Sequence, residues 1–389
     1  MPIIRQGDDI INTVVDSVIS ASKDPEWGWT IRNSDIIAVT ESVVARAQGN
    51  YASVDDIAQD IIEKFGENQT IGVVFPILSR NRFSLCLEGI AKAARKVVIL
   101  FSFPTDEVGN ELIPRDIFQH SFVNTYDILT LQEFRKTFGY PKHPFTNIDY
   151  VDYYQQIIKG AGAECDIIFS NIPIDILEYT TNVLCCDIHT LPYTKAKFIN
   201  CPKDIEMTIY GIDEVLRAPI NGSGYNEKYG LLGSNKATED TLKLFPRDSQ
   251  YIVDGIKDKM YELTGKSIEV LIYGDGAFKD PVGGIWEWAD PVVAPFFTDG
   301  LNGTPNELKI KYLADNNFSE LDGEALKDAI TNAIKTKEAN LVGTMQTEGT
   351  TPRRLTDLIG SLCDLTSGSG DKGTPVVYIQ GYFDNYSCN

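Results

Sequence analysis

A short apolar run, Val270 to Tyr273, leads directly into a loop that carries Asp275, Lys279 and Asp280 among several glycines. The run has the length and the β-branched content of a buried strand. The glycines permit backbone conformations and close ligand approaches that other residues hinder. Charged residues at the end of a buried strand are candidates for chemistry, and the alternative is a surface loop whose acids are simply solvated.

The composition limits the classes of partner. A chain of 389 residues with 43% hydrophobic content predicts two or three globular domains. With 35 basic and 55 acidic side chains the formal charge is -20, which disfavours nucleic acid and anionic lipid as partners. The first residues lack the pattern of a signal peptide, and no apolar run approaches a membrane-spanning length. We therefore expect a cytoplasmic protein that contacts neither nucleic acid nor membrane.

The seven cysteines and three histidines show no spacing typical of a metal site. The cysteines are scattered through apolar segments, and their number is odd. Their pattern predicts buried free thiols, and the histidines are expected to have structural roles.

Helical and strand-like segments alternate along the first two hundred residues. Ser53 followed by Asp56 predicts a capped helix start. Residues 79–201 continue the alternation and are predicted to form a distinct α/β subdomain between residues 1–78 and 202–389. The loop Gly222–Asn235 contains four glycines and two asparagines, which predicts a second candidate site loop, with a purely structural connection as the alternative.

The last helical pattern places Arg354 and Asp357 on one polar face, which predicts either a site or a solvated ion pair. The segment after this helix formally fits G-x-G-x-x-G. A dinucleotide fingerprint leaves a strand and opens a helix, whereas this loop leaves a helix and enters a strand. We therefore predict only an anion-binding nest of backbone N–H groups there. Its members are Gly368, Ser369, Gly370 and Asp371.

Several motifs together resemble the coenzyme F-420 γ-glutamyl ligase family. The segments PIIRQGDDI and DIIAVTESVVARAQG resemble the family's P-x-I-x-x-G-D-D-L and D-V-L-V-V-T-S-K-V-V-S-K-A-E-G. Later, GSN, LFPRD, YGDGAFKDPVG and SGSGDKGTPVVYIQG stand where the family has its S-N, L-L-P-x-D, S-D-T-F-G-R-P-W-R and closing glycine-loop elements. The resemblance implies an α+β fold, with a two-domain ligase-like core interrupted by the α/β subdomain, as in longer bacterial members.

The resemblance also implies roles for individual residues. Asp275 falls on an aspartate that binds a divalent ion in the family, and Asn235 falls on an asparagine that contacts the nucleotide. Glu41 and Ser42 fall on the family's nucleotide-contacting S-K pair, whose charge is thereby changed, and Arg46 falls on its second lysine, where a basic residue is kept.

Two metal ligands of the family are replaced, by Leu232 and by Ser369. Asp280 and Asp357 are predicted to complete the metal site with Asp275. Further acids available as replacements are Glu41, Asp364 and Asp371.

The activity implied by the resemblance is the addition of L-glutamate to a small-molecule acceptor, using GTP or ATP with Mg²⁺ or Mn²⁺. The predicted catalytic residues are Asp275, Lys279, Asp280 and Arg354. The resemblance also implies a homodimer. Because two metal ligands are replaced, the alternative function is a non-catalytic nucleotide or metabolite sensor derived from the ligase.

Overall fold

The computed structural model describes most of the chain. The described residues are 1–80, 82–143, 146–202, 205–274, 277–279, 286–288, 294–304, 306–338, 340–341, 343–347, 354–367 and 374–384. The backbone alone is described at 277–279, 286–288 and 346.

Helices and strands alternate through most of the described chain. The helices are α1 Ile10–Ser22, α2 Glu41–Gln48, α3 Val54–Phe65, α4 Phe83–Ala93, α5 Arg115–Gln119, α6 Leu131–Phe138, α7 Tyr150–Gly160, α8 Leu191–Ile199, α9 Gln250–Thr264, α10 Ile310–Tyr312, α11 Gly323–Thr336 and α12 Leu355–Ser367. The strands are β1 Ile36–Thr40, β2 Tyr51–Ser53, β3 Thr70–Val74, β4 Lys96–Phe101, β5 Leu129–Thr130, β6 Glu164–Phe169, β7 Asn182–Cys185, β8 Thr208–Gly211, β9 Ser234–Lys236, β10 Thr241–Leu244, β11 Glu269–Tyr273, β12 Ala277–Lys279, β13 Trp286–Trp288, β14 Phe296–Phe297 and β15 Val376–Ile379.

The first sheet is mixed and has the strand order β14-β11-β1-β15. Strands β1 and β11 are parallel, while β14 and β15 are antiparallel to their neighbours. Because side chains alternate across a strand, Ile37 and Val39 pack with α1 and α9 on one face. Ile36 and Ala38 pack with α12 on the other face. The apolar run Val270–Tyr273 lies in β11 and is likewise buried on both faces, as predicted.

The second sheet has the order β5-β6-β4-β3-β7-β8 and is parallel except for β5. The connections from β3 proceed through β4 to β6 on one side, while β7 and β8 lie on the other side. This is the arrangement of a doubly wound sheet. We call this sheet and its helices the α/β body. Strands β3 and β8 lie just outside the predicted subdomain, residues 79–201, and its boundaries stay a prediction.

The third sheet has the order β2-β10-β9, and Lys243 in β10 contacts Glu41 at the start of α2. Ala52 in β2 and Leu242 in β10 belong to the same hydrophobic core as the α/β body. The helix that follows β2 begins as predicted, since the Asp56 N–H donates to Ser53 Oγ at 3.1 Å and the Ser53 N–H donates to Asp56 Oδ2 at 2.7 Å. Strands β12 and β13 form a separate hairpin. Among the described helices, none is sufficiently long and apolar to cross a membrane.

Candidate functional site

Three of the predicted site segments adjoin residues that come together at one edge of the mixed sheet. Thr40, the last residue of β1, is paired with Tyr273, the last residue of β11. The Thr40 N–H donates to the carbonyl of Pro375, which precedes β15, at 2.9 Å. Glu41 follows Thr40 directly, and the segments that contain Asp275 and the glycine-rich nest adjoin Gly274 and Thr374. We call the edge formed by Thr40, Tyr273 and Pro375 the ligase edge.

Glu41 begins α2 at the ligase edge and is 5% exposed. Its Oε1 lies 2.9 Å from Nζ of Lys243, which is itself largely buried. Glu41 falls on the serine of the family's S-K pair, and Lys243 approaches its carboxylate from β10. No local pattern in the sequence identifies Lys243, because the two residues are 202 positions apart.

Asn235 lies in β9, directly opposite Lys243 on β10. Its Oδ1 accepts a hydrogen bond from Nη2 of Arg82 at 3.4 Å. Arg82 is 8% exposed and stands just before α4, so it belongs to the α/β body. Asn235 and Glu41, both predicted from the resemblance as nucleotide contacts, are thus connected through Lys243. Neither Lys243 nor Arg82 was among the predicted site residues.

Ser42 and Arg46 are exposed and lie one turn apart on α2. The helix begins at the ligase edge, and its first-turn N–H groups form the positive end of the helix dipole. The structure therefore places the predicted Glu41–Ser42–Arg46 group on one short helix. Glu41 points into the protein, whereas the other two side chains face solvent.

Arg354 and Asp357 form the ion pair that the helical spacing predicted. Nη2 of Arg354 lies 3.0 Å from Oδ1 of Asp357, and Nε lies 3.2 Å from Oδ2. The Leu355 N–H donates to the carbonyl of Gly303 at 2.9 Å, which ties the start of α12 to the segment after β14. The structure does not show this pair at the ligase edge, and the assignment of Asp357 to the metal and of Arg354 to catalysis stays a prediction.

The remaining predicted residues lie outside what the structure describes. These are Asp275, Asp280, Gly368, Ser369, Gly370, Asp371 and the side chain of Lys279. The Lys279 backbone is in β12, paired with Trp286.

A metal ion at the ligase edge needs oxygen ligands. Among the residues that the structure describes, no group of three or more His, Cys, Asp or Glu could hold an ion. Leu232 packs against buried apolar residues and offers no oxygen atom there. The side chain of Glu41 is committed to Lys243. The metal-binding roles of Asp275, Asp280 and Asp357 stay predictions.

The cysteines agree with the prediction of free thiols. All six cysteines in the described part of the chain are free, and four of these are buried. Burial raises the pKa of Cys86, close to Arg82, to about 12. This thiol is protonated at neutral pH and is a poor nucleophile.

Comparison with known proteins identifies the family. The model of the F420-0:Gamma-glutamyl ligase family matches residues 1–381, and the match runs through the α/β body. No curated protein matches the chain. A match of this extent, with the mixed α and β architecture described above, confirms the resemblance and the predicted α+β class. The chain therefore belongs to the F420-0:gamma-glutamyl ligase family.

Proposed function

We propose that the protein is a nucleotide-dependent amide ligase that adds L-glutamate to a small-molecule acceptor through an acyl phosphate. Family membership supports amide ligation in general. The observation that carries the finer proposal is the ligase edge, where the flanks of three candidate segments meet at the ends of β1 and β11 and the start of β15.

The reaction has two balanced steps. The acceptor carboxylate takes the terminal phosphoryl group of GTP or ATP, and the nucleoside diphosphate leaves. The amine of L-glutamate then attacks the acyl phosphate, displaces inorganic phosphate and loses a proton, which leaves an amide. Activation is required because a free carboxylate is a poor electrophile.

The residues near the ligase edge suit this chemistry. Lys243 and Arg82 bring two fixed cations to a protein with a formal charge of -20. Fixed cations stabilise phosphoryl groups most strongly where water is excluded. Asn235, between them, can donate a hydrogen bond to a nucleotide. Mg²⁺ or Mn²⁺ held by Asp275 and Asp280 would neutralise the phosphates.

The first experiment is thermal unfolding with GTP or ATP, with and without MgCl₂ or MnCl₂. At a hundredfold excess over Kd, nucleotide binding adds about 2.7 kcal/mol to the free energy of unfolding. We expect this gain to require the metal ion and to be lost in Asp275→Asn. Asp16→Asn, on the exposed side of α1, is the matched control and should keep the gain.

The second experiment incubates the protein with nucleotide, Mg²⁺, L-glutamate and either a deazaflavin or a folate-like acceptor. Mass spectrometry then detects one added glutamyl residue on the acceptor. A phosphate assay should show one inorganic phosphate released per amide formed. Failure of the protein to bind or hydrolyse either nucleotide would contradict the ligase proposal.

A non-catalytic sensor is the second candidate, because Leu232 replaces a metal ligand of the family with an apolar side chain. Stabilisation by nucleotide that is independent of metal and unchanged in Asp275→Asn would favour it. The homodimer, the cytoplasmic location and the absence of nucleic-acid and membrane partners stay predictions.

A further inference from the structure

A cavity of about 170 Å³ lies between the loop that precedes β9, the segment that precedes α9, and β14. We call it the Arg247 cavity. It is lined by Tyr225, Asn226, Glu227, Lys228, Tyr229, Arg247, Asp248, Pro295 and Phe296. It involves the loop Gly222–Asn235, which the sequence marked as a candidate site, and LFPRD, one of the family-like motifs. The proposed ligase chemistry uses only Asn235 of that loop and no residue of LFPRD.

Arg247 is a cation held in place without a counter-charge. Its guanidinium lies 4.6 Å from the ring centroid of Tyr225, and its Nη1 donates to Oδ1 of Asn50. Within the described part of the chain, Arg247 has no carboxylate partner. A guanidinium fixed by stacking and by one hydrogen bond keeps further N–H donors for an anionic ligand.

Two buried asparagines fix the walls of the cavity. Asn50 is fully buried and donates to the carbonyl of Tyr225 at 3.1 Å. Asn226 is 5% exposed, and its Oδ1 accepts from the N–H groups of Lys228 at 3.1 Å and Tyr229 at 2.8 Å. These contacts hold the loop in one conformation without any ligand, which lowers the entropy lost when a ligand binds.

The backbone of Asp248, in the cavity wall, has an uncommon conformation. Its φ is +38°, in the left-handed region that residues other than glycine rarely adopt. Such strain costs about 1–3 kcal/mol and clusters at binding and active sites. Asp248 directly follows Arg247, and both residues line the cavity.

Size and charge narrow the class of ligand. A cavity of about 150 Å³ holds a molecule such as benzene, whereas pockets for larger ligands measure about 300–1,000 Å³. A whole nucleotide is therefore too large for a cavity of about 170 Å³. The lining carries two cations, Arg247 and Lys228, and two carboxylates, Glu227 and Asp248. This set complements a small zwitterion with two carboxylates and one ammonium group.

The position of the cavity fits a co-substrate of the ligase edge. Phe296, one of its lining residues, pairs with Ile272 in the mixed sheet. Gly274 is two residues further along the chain, about 7 Å at the rise of a strand. A molecule in the cavity thus lies beside the segment that precedes Asp275.

We propose that the Arg247 cavity is the subsite for the incoming L-glutamate, with Arg247 binding a carboxylate and Asp248 facing the ammonium group. This inference rests on the proposed ligase function for its choice of amino acid. It adds a specificity-determining residue, Arg247, to that function.

The test is calorimetric titration of the full chain with L-glutamate, with and without nucleotide and Mg²⁺. Loss of a charge-assisted hydrogen bond weakens binding roughly 10- to 100-fold. We expect this loss in Arg247→Gln, and a partial loss in Arg247→Lys, which keeps the charge but not the planar group. Glutarate, which has both carboxylates but no ammonium group, should bind more weakly than L-glutamate to the wild type.

Arg95→Gln is the matched control, since Arg95 is exposed and lies in the α/β body beside Glu164. It should bind L-glutamate within about twofold of the wild type, well inside the roughly tenfold effect of one lost charge-assisted contact. Circular dichroism establishes that each variant is folded. If Arg247→Gln does not fold, Lys228→Gln replaces it, because Lys228 is exposed and its loss should also weaken binding.

Two results would overturn the subsite. One is unchanged L-glutamate affinity in folded Arg247→Gln and Lys228→Gln, and the other is no binding to the wild type in any condition. Failure of the proposed function gives a different result. In that case L-glutamate binds in an Arg247-dependent way, but neither nucleotide is consumed. Ligation with an unchanged KM for glutamate in both variants would reject the subsite and leave the function standing.

Discussion

Asp187 is a fully buried acid two residues beyond β7. Its Oδ2 accepts hydrogen bonds from the hydroxyl groups of Thr190 at 2.6 Å and Thr194 at 2.7 Å. Burial, which disfavours the charged form, outweighs these bonds and raises the pKa of Asp187 to about 6. The folded protein therefore binds this proton more tightly than the unfolded chain does.

The raised pKa of Asp187 predicts a pH dependence of stability. Its contribution is fully present below the unfolded pKa, near 3.8, and is lost as the pH rises through about 6. In Asp187→Asn this component should disappear, so the free energy of unfolding falls less between pH 4 and pH 6 than in the wild type. Urea unfolding at several pH values measures it.

Asp106 provides the internal comparison for this measurement. Burial also raises its pKa to about 6, so Asp187→Asn should keep the part of the slope due to Asp106. Asp16→Asn, which removes an exposed carboxylate, should leave the slope unchanged. An Asp187→Asn curve parallel to the wild type would mean that Asp187 titrates alike in the folded and unfolded states.

A contact between two residues could be predicted only where both residues lie close together in the sequence. The ion pair between Arg354 and Asp357 follows from helical spacing, and the structure contains it. Lys243 and Arg82 were missed because each meets its partner only after distant segments fold together.

At the scale of elements, the strands were predictable but their pairing was not. An apolar run of four residues identifies β1 and β11 separately, because each is buried on both faces. Nothing in either run specifies that they lie side by side, since backbone hydrogen bonds carry no sequence information. The parallel pairing nevertheless determines the candidate site, because it brings Thr40 and Tyr273 to the same edge.

The close packing of α3 on α4 depends on Gly89. A Cβ atom at this position would lie 2.6 Å from Cβ and Cγ2 of Ile57. Alanine normally favours a helix over glycine by about 1 kcal/mol. In Gly89→Ala, we expect the steric overlap to exceed that gain and to lower the free energy of unfolding by about 1–3 kcal/mol. Chemical denaturation measures the change.

Gly160, at the end of α7, is the matched control for this substitution. A Cβ atom there would meet no other atom within 4 Å, so Gly160→Ala should leave stability unchanged or raise it slightly. The helix-packing explanation is wrong if both variants change stability in the same direction by the same amount. In the double variant Gly89→Ala and Ile57→Ala, which lacks the contacting Cγ2 atom, the loss of stability should be smaller than the sum of the two single losses.

At the scale of the whole molecule, the composition predicts the excess of acidic residues, but it does not predict which of them form ion pairs. Many ion pairs in the described structure involve at least one exposed partner, as in Arg32 with Asp384. In the pair between Lys243 and Glu41, by contrast, both side chains are largely buried. Exposed pairs contribute about 0–1 kcal/mol each. Repulsion among the unpaired acids is therefore expected to dominate the response of stability to salt.

This balance predicts that salt stabilises the protein at neutral pH. The Debye length falls from about 30 Å at 0.01 M to about 8 Å at 0.15 M. Screening over this range weakens the self-repulsion of a chain with a formal charge of -20. We expect the Tm in NaCl to rise between these concentrations. At pH 5, close to the sequence pI of about 4.6, the net charge is small and the rise should largely vanish. A Tm that falls with added NaCl at pH 7 would instead show that attractive ion pairs outweigh the acidic excess.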